Sequence, residues 1–258
     1  MNITTKKYFP QYNNQLSIKL NELVEQFNFD EKKIDLNYFT QVSAIYSSNI
    51  EGNSIDLNSF MNYQLSKETF KPTKEIEEIE TLITAYQYAQ QNKINETNFL
   101  KCHKIFSKTL LIKSRQGQYR KNKVGVFDQT GLVYLALEPE FVNDRMKEFF
   151  ININTLLTQR HTITEVFYFA SLIHLITAHI HPFMDGNGRA ARLLEKWFLT
   201  EKLGGQFWKI PSEKYYKDNQ AQYYTNINLG VNYYELNYDK CVPFLLMLPN
   251  SLLSNSVN

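Results

Sequence analysis

The chain has 258 residues, 43% of them apolar and 21% charged, the make-up of a globular domain with room for a sizeable core. A formal net charge of +2 gives no sign of a nucleic-acid surface and excludes a strongly basic chain. Nine glycines and seven prolines, against 17 tyrosines and 18 phenylalanines, favour helices over an all-β fold.

The N-terminal stretch MNITTKKYFPQYNN is polar and lacks an apolar signal core. Leu16, Ile18, Leu20, Leu23, Val24 and Phe27 then recur at helical spacing, which predicts an amphipathic helix over 14–28 within an N-terminal extension of residues 1–35. The next helix is expected over 37–50, stopped by Gly52 just beyond its cap. Thr73 and an acidic first turn open a helix over 73–91. Another, over 95–110, leads into a charged loop. Val124 and Val126, the turn DQTG at 128–131, and the apolar run 132–137 read as a β-hairpin over 123–137. Helices resume over 139–157, 163–180, 187–203, 214–228 and 238–250, and the tail 251–258 reads as flexible. The expectation is one mostly α-helical domain over 36–250 with a single hairpin.

Cys102 and Cys241 lie far apart with no CxxC partner and read as buried thiols of a reducing compartment. The most apolar run, 166–180, has 15 residues, includes His174 and His179, and is shorter than the ~20 needed to span a bilayer. A cytoplasmic protein without membrane or nucleic-acid partners is expected.

The segment HPFMDGNGRAAR, 181–192, joins an all-round apolar helix to a second helix. Gly186 and Gly188 flank Asn187, so backbone amides there can approach a ligand closely. The loop opens a helix, and a helix N-terminus attracts anions. Arg189 and Arg192 stand in the first turns, where positive side chains oppose the helix dipole, and their spacing puts them on one face. A polyphosphate would reconcile them with their position. Asp185 fits beside a divalent cation shared with phosphate oxygens, or simply as a helix cap. His181 can take a proton from an incoming hydroxyl. A zinc site built from His174, His179 and His181 fails on geometry, since His174 and His181 are about 10 Å apart on a continuous helix. No GxxxxGK[ST] is present.

This segment resembles the signature of the Fic family, HxFx[DE]GNGRxxR, at every fixed position: His181, Phe183, Asp185, Gly186, Asn187, Gly188, Arg189 and Arg192. The resemblance implies a Fic-type helical fold and transfer of AMP from ATP to a Ser, Thr or Tyr hydroxyl of a target protein. His181 would be the general base and Asp185 the Mg²⁺ ligand. The backbone at 186–188 and Asn187 would hold the α- and β-phosphates. Arg189 and Arg192 would contact the outer phosphates, and Phe183 would anchor the loop. The related phosphorylating branch usually has lysine where this chain has Gly188.

Upstream, Ser47, Glu51 and Gly52 resemble the family's inhibitory motif [ST]xxxE[GN]. Glu51 ends a helix, where a carboxylate is electrostatically disfavoured unless something positive compensates. The resemblance implies an inhibitory helix over 37–52 whose Glu51 pairs with Arg192 in place of the γ-phosphate. The same carboxylate would also suit water activation in removal of AMP. Residues 117–137 resemble the flap along which relatives dock the target backbone. Tyr223 and Tyr224 resemble the aromatic pair of the following helices, an adenine contact or plain packing. A different nucleotide donor, a de-AMPylase, or a nucleotide-binding adaptor without catalysis are the alternatives. Self-modification and oligomer formation stay open.

Overall fold

The computed structural model describes residues 1–16, 19–26, 36–66, 71–129 and 131–255. In chain order come α1 (Phe9–Gln15), α2 (Leu20–Gln26), α3 (Leu36–Ile50), α4 (Leu57–Leu65), α5 (Lys74–Gln91) and α6 (Glu96–Phe106). The hairpin strands β1 (Gly125–Asp128) and β2 (Gly131–Leu135) follow. After them stand α7 (Pro139–Thr158), α8 (Ile163–Ile180), α9 (Asn187–Leu203), α10 (Ser212–Asp218), α11 (Gln220–Ile227), α12 (Val242–Leu245) and α13 (Met247–Asn250). The described residues are mostly helical with one antiparallel hairpin, as expected from composition and from the 123–137 pattern.

Helix α8 is the centre. Thr162 and Glu165 form a reciprocal capping box at its start. Its apolar residues lie all round the axis, so it must be surrounded. Helices α1, α2, α7, α9, α12 and α13 pack against it. At 18 residues it is longer than the apolar run read from the sequence, and by length and composition it could cross a membrane. Here 78% of it is buried inside the protein as core.

The helix expected over 14–28 is two helices. Pro10 opens α1 early, and Leu16 takes an extended ψ of 98° that ends it. Ile18 and Phe27 lie outside the described residues. The N-terminal segment joins the main core, with Tyr12 buried 5.3 Å, ring to ring, from Tyr168 of α8. Helix α4 has no counterpart in the sequence expectations; Asp56 caps it by accepting from the Ser59 amide. The helix expected over 214–228 breaks at Asn219 (φ −113°, ψ 37°), and that over 238–250 is a 3₁₀ turn followed by two short helices. The tail expected from 251 is not free at its start. Ser251 and Leu252 are buried, and Ser251–Asn255 form a 3₁₀ turn. Cys102 and Cys241 are buried and unpaired.

In the hairpin, a register irregularity falls between Val126 and Phe127. On its far side β2 is closed by a bridge from Leu135 to Asn232. Among the described residues the outer edge of β1 has no strand partner. Thr130, at the expected turn, lies outside the described residues.

Two histidines brace this frame as neutral rings. His103 Nδ1 accepts from the Gly117 amide at 2.9 Å and its Nε2 faces the Asp185 carbonyl at 3.1 Å. His179 Nε2 faces the Ile227 carbonyl at 2.8 Å, and its Nδ1 faces the Tyr238 hydroxyl at 3.0 Å. Burial pushes both pKa values down to about 4. Unfolded imidazoles titrate near 6.5, so the unfolded chain binds more protons between these limits. Stability contributed above about pH 6.5 is therefore lost as pH falls toward about 4. Thermal melts across that window are expected to show a steadily falling Tm; a flat Tm would contradict the buried neutral rings.

Candidate active site

Helix α8 ends at His181, which adopts the left-handed conformation (φ 52°, ψ 60°). It is the sole non-glycine residue with positive φ among the described residues. Such a conformation costs about 1 kcal/mol or more and persists where the surroundings over-determine it. The ring Nδ1 lies 3.3 Å from the Ala178 carbonyl. With Nδ1 as donor, Nε2 keeps its lone pair. Burial pushes the His181 pKa down to about 4; the Ala178 carbonyl and Glu51 oppose this, and the Arg120 charge reinforces it. The ring is neutral at physiological pH, as a base must be.

The loop is braced from within. Phe183 is fully buried and stacks on His103 at 3.6 Å, the anchoring role expected of it. The Asn187 side chain does not face outward. Its Oδ1 accepts from the Phe183 amide at 2.8 Å and its Nδ2 donates to the Phe183 carbonyl at 3.0 Å, closing the bend on itself. The side-chain amide of Asn187 is thus occupied by Phe183, which leaves its backbone amide to face a phosphate. Gly186 has φ 80°, and a Cβ there would stand 2.7 Å from the Phe106 ring. The first helical bond of α9 runs from the Ala190 amide to the Gly186 carbonyl, so the amides of 187, 188 and 189 are left for a ligand.

Arg192 is fully buried and faces this helix start. Its Nη2 donates to Glu51 Oε1 at 2.7 Å and to the Ser47 carbonyl at 2.9 Å, and its Nε donates to Ser47 Oγ at 2.9 Å. The pairing read from the two motifs is therefore present in the geometry. The Glu51 side chain is 27% exposed. Burial works to raise its pKa, but Arg192 and Arg189 outweigh burial and hold the carboxyl below its usual range. Gly188 makes this seating possible. A Cβ there would lie 2.2 Å from Glu51 Oε1 and 3.0 Å from Arg192 Nη1. Gly52, with φ 97°, turns the chain away after α3.

Helix α3 is held at its end by α10 and α11. Lys217 donates to the Asn49 carbonyl at 2.9 Å, while Gln220 and Tyr224 donate to the Ile50 carbonyl at 2.8 and 3.0 Å. Tyr224 is half-exposed beside the site. Tyr223 is buried, the packing side of the two readings left open for it. Its hydroxyl accepts from Arg192 Nη1 at 3.3 Å and lies 2.9 Å from His174 Nε2, whose Nδ1 lies 2.9 Å from Glu195. Tyr223 thus supports Arg192 from behind.

Arg189 also has a carboxylate partner, unforeseen from sequence. Its Nε and Nη2 both donate to Glu78 Oε1 of α5, at 3.1 and 2.5 Å. Glu78 sits in an acidic run that reads as a solvated helix start, so no spacing marks it out.

Asp185 is exposed at the loop tip, with Oδ1 accepting from the Gly186 amide at 2.6 Å. Among the described residues no group of three or more His, Cys, Asp or Glu side chains gathers to hold a metal ion. One carboxylate beside an anion site fits Mg²⁺, which commonly takes one or two carboxylates and completes its shell with substrate phosphates and water.

Residues 93–199 match the Fic/DOC family model. That segment of the chain is similar to Fic/DOC proteins. The matched segment holds the whole 181–192 loop, whereas Glu51 lies outside it. A relative from Nematostella vectensis, named protein adenylyltransferase Fic, is 38% identical over 78 residues. That stretch is 30% of this chain and 16% of the relative. A Fic family protein from Desulfovibrio desulfuricans G20 has a similar fold, with a TM-score of 0.78 at 20% identity over 98% of this chain and 75% of that one. Fic-1 from C. elegans gives a TM-score of 0.68 at 20% identity, over 95% and 71% of the two chains. A Fic domain containing signaling protein from Bacteroides thetaiotaomicron gives 0.64 at 20% identity, over 98% and 93%.

Proposed function

We propose that this Fic protein transfers AMP from ATP to a hydroxyl of a target protein and is held back by Glu51. The observation that carries the reading is the seat of Glu51: a carboxylate lies against the start of α9 and on a buried arginine, where an anionic phosphate would bind. The amides at 187–189 and Arg192 hold the polyphosphate, with Arg189 beside them. Asp185 would hold Mg²⁺, which when bound neutralises phosphate charge. His181 Nε2 takes the proton of the target hydroxyl as its oxygen attacks the α-phosphorus. The new oxygen–phosphorus bond forms as the α–β anhydride bond breaks, and pyrophosphate leaves. Positioning and charge stabilisation supply most of the catalysis. The target strand would dock along the outer edge of β1, which has no strand partner among the described residues.

Incubation of the Glu51→Gly protein with each labelled nucleotide, Mg²⁺ and cell lysate, followed by mass spectrometry, tests this reading. Adenylyl adducts on Ser, Thr or Tyr side chains from ATP alone are expected. Adducts from another nucleotide, or none, would replace or refute it.

A further inference from the structure

Four successive carbonyls at the end of α8, those of 179–182, are all taken by donors from the flap segment. The Tyr134 hydroxyl donates to the His179 carbonyl at 2.6 Å. Arg120 serves the other three: Nη2 to Ile180 at 3.4 Å, Nε to His181 at 2.7 Å, and its own backbone amide to Pro182 at 2.9 Å. The same guanidinium also holds both feet of the hairpin, donating from Nη1 to the Asn122 carbonyl at 3.0 Å and from Nη2 to the Leu137 carbonyl. Arg120 is 2% exposed and makes no ion pair with a carboxylate among the described residues. A buried guanidinium is costly unless compensated. The carbonyl end of an 18-residue helix, with its negative dipole, supplies the compensation.

This arrangement explains how His181 is kept in its left-handed conformation. The peptide plane carrying the Ile180 carbonyl sets φ of His181, and the plane carrying the His181 carbonyl sets ψ. Arg120 bonds both carbonyls, and its amide fixes the next one. Resting on the transferase reading above, we propose that Arg120 is a positioning residue of the reaction: it locks the backbone of His181 and fastens it to both feet of the flap, so that base and target-docking strand move as one body. A strand seated on β1 is then placed relative to His181 by a rigid link rather than by closure of a separate lid. Lysine cannot replace the planar five-donor fork that these carbonyls require.

The test uses the full chain without nucleotide. In Arg120→Lys protein, amide hydrogen exchange across 124–137 is expected to quicken about tenfold or more. The Cα and Cβ chemical shifts of His181 are expected to leave the left-handed range. Placed on the Glu51→Gly background, Arg120→Lys is expected to lower kcat about tenfold while the KM for ATP changes less than about twofold, the split of a group acting on the base rather than on nucleotide. Tyr134→Phe, which removes only one hydroxyl, is expected to give a smaller loss of protection in the same segment, and it decides the matter if Arg120→Lys fails to fold. Unchanged exchange over 124–137 with unchanged His181 shifts would overturn the proposal. Because those two readouts need no nucleotide, absence of label from the Glu51→Gly parent would count against the transferase reading and not against the link.

Discussion

Glycine in place of Glu51 is expected to raise incorporation of labelled AMP by about a hundredfold over the parent chain, since displacing a carboxylate from a buried guanidinium costs several kcal/mol and each ~1.4 kcal/mol is tenfold. Arg192 now gives its strongest donors to Glu51 and Ser47. A phosphate reaching this arginine must first evict the carboxylate, and the start of α9 is screened by the same group. The helix itself is not free to leave. Ser43 of α3 accepts from the buried Lys196 at 2.7 Å, and Lys217, Gln220 and Tyr224 hold the carbonyls of its last turn. Release therefore falls to the Glu51 side chain, and removing that side chain is the whole of the release. A second measurement separates restraint from general damage. Without Glu51, the buried Arg192 charge loses the one carboxylate it pairs with among the described residues, so the Tm without ligand is expected to fall. Nucleotide with Mg²⁺ restores an anion there, so its addition is expected to raise Tm more in Glu51→Gly than in the parent. Equal incorporation by both proteins would sink the restraint.

The two motifs were legible because each is short, although the Glu51–Arg192 pair that joins them spans 141 residues. His181, Asp185, Gly186, Gly188 and Arg192 lie in one bend, and Ser47 and Glu51 share one helical face. The long helices were legible for the same reason, since their caps and apolar spacing are written within about 20 residues. Residues acting through long-range contacts were not legible. Arg120 sits in a charged loop, GQYRKNK, where nothing distinguishes it from its basic neighbours until the fold brings it under the end of α8. Glu78 stands just past an acidic first turn and reads as one more surface carboxylate, yet it reaches Arg189 across 111 residues. Tyr223 reads equally as an adenine contact or as packing, because an aromatic residue type alone does not separate the two. Burial turns its hydroxyl to Arg192 and His174. Asn187 shows the same limit at short range: a motif fixes residue type, but only the closed bend reveals that its amide serves Phe183.

Alanine in place of His181 is expected to lower kcat for AMP transfer about a thousandfold on the Glu51→Gly background, within the range for loss of a general base. The dissociation constant for ATP is expected to change less than about threefold, because the anion site is built from the amides at 187–189 and from Arg192, none of which His181 bonds. The pH profile adds a test of how the base is tuned. An ordinary imidazole loses its free lone pair below about pH 6.5, and the rate would fall with it. Burial pushes the His181 pKa down to about 4, so Nε2 stays unprotonated well below neutrality. Glu51 is among the influences that raise this pKa, so its removal does not bring protonation closer. The value of kcat/KM, which reports the free enzyme, is therefore expected to stay flat from about pH 8 down to about pH 5.5 in the Glu51→Gly protein. A fall centred near pH 6.5 would mean that the ring is solvated when it reacts. Retention of transfer by His181→Ala, with loss of ATP binding, would move the residue from proton transfer to nucleotide binding.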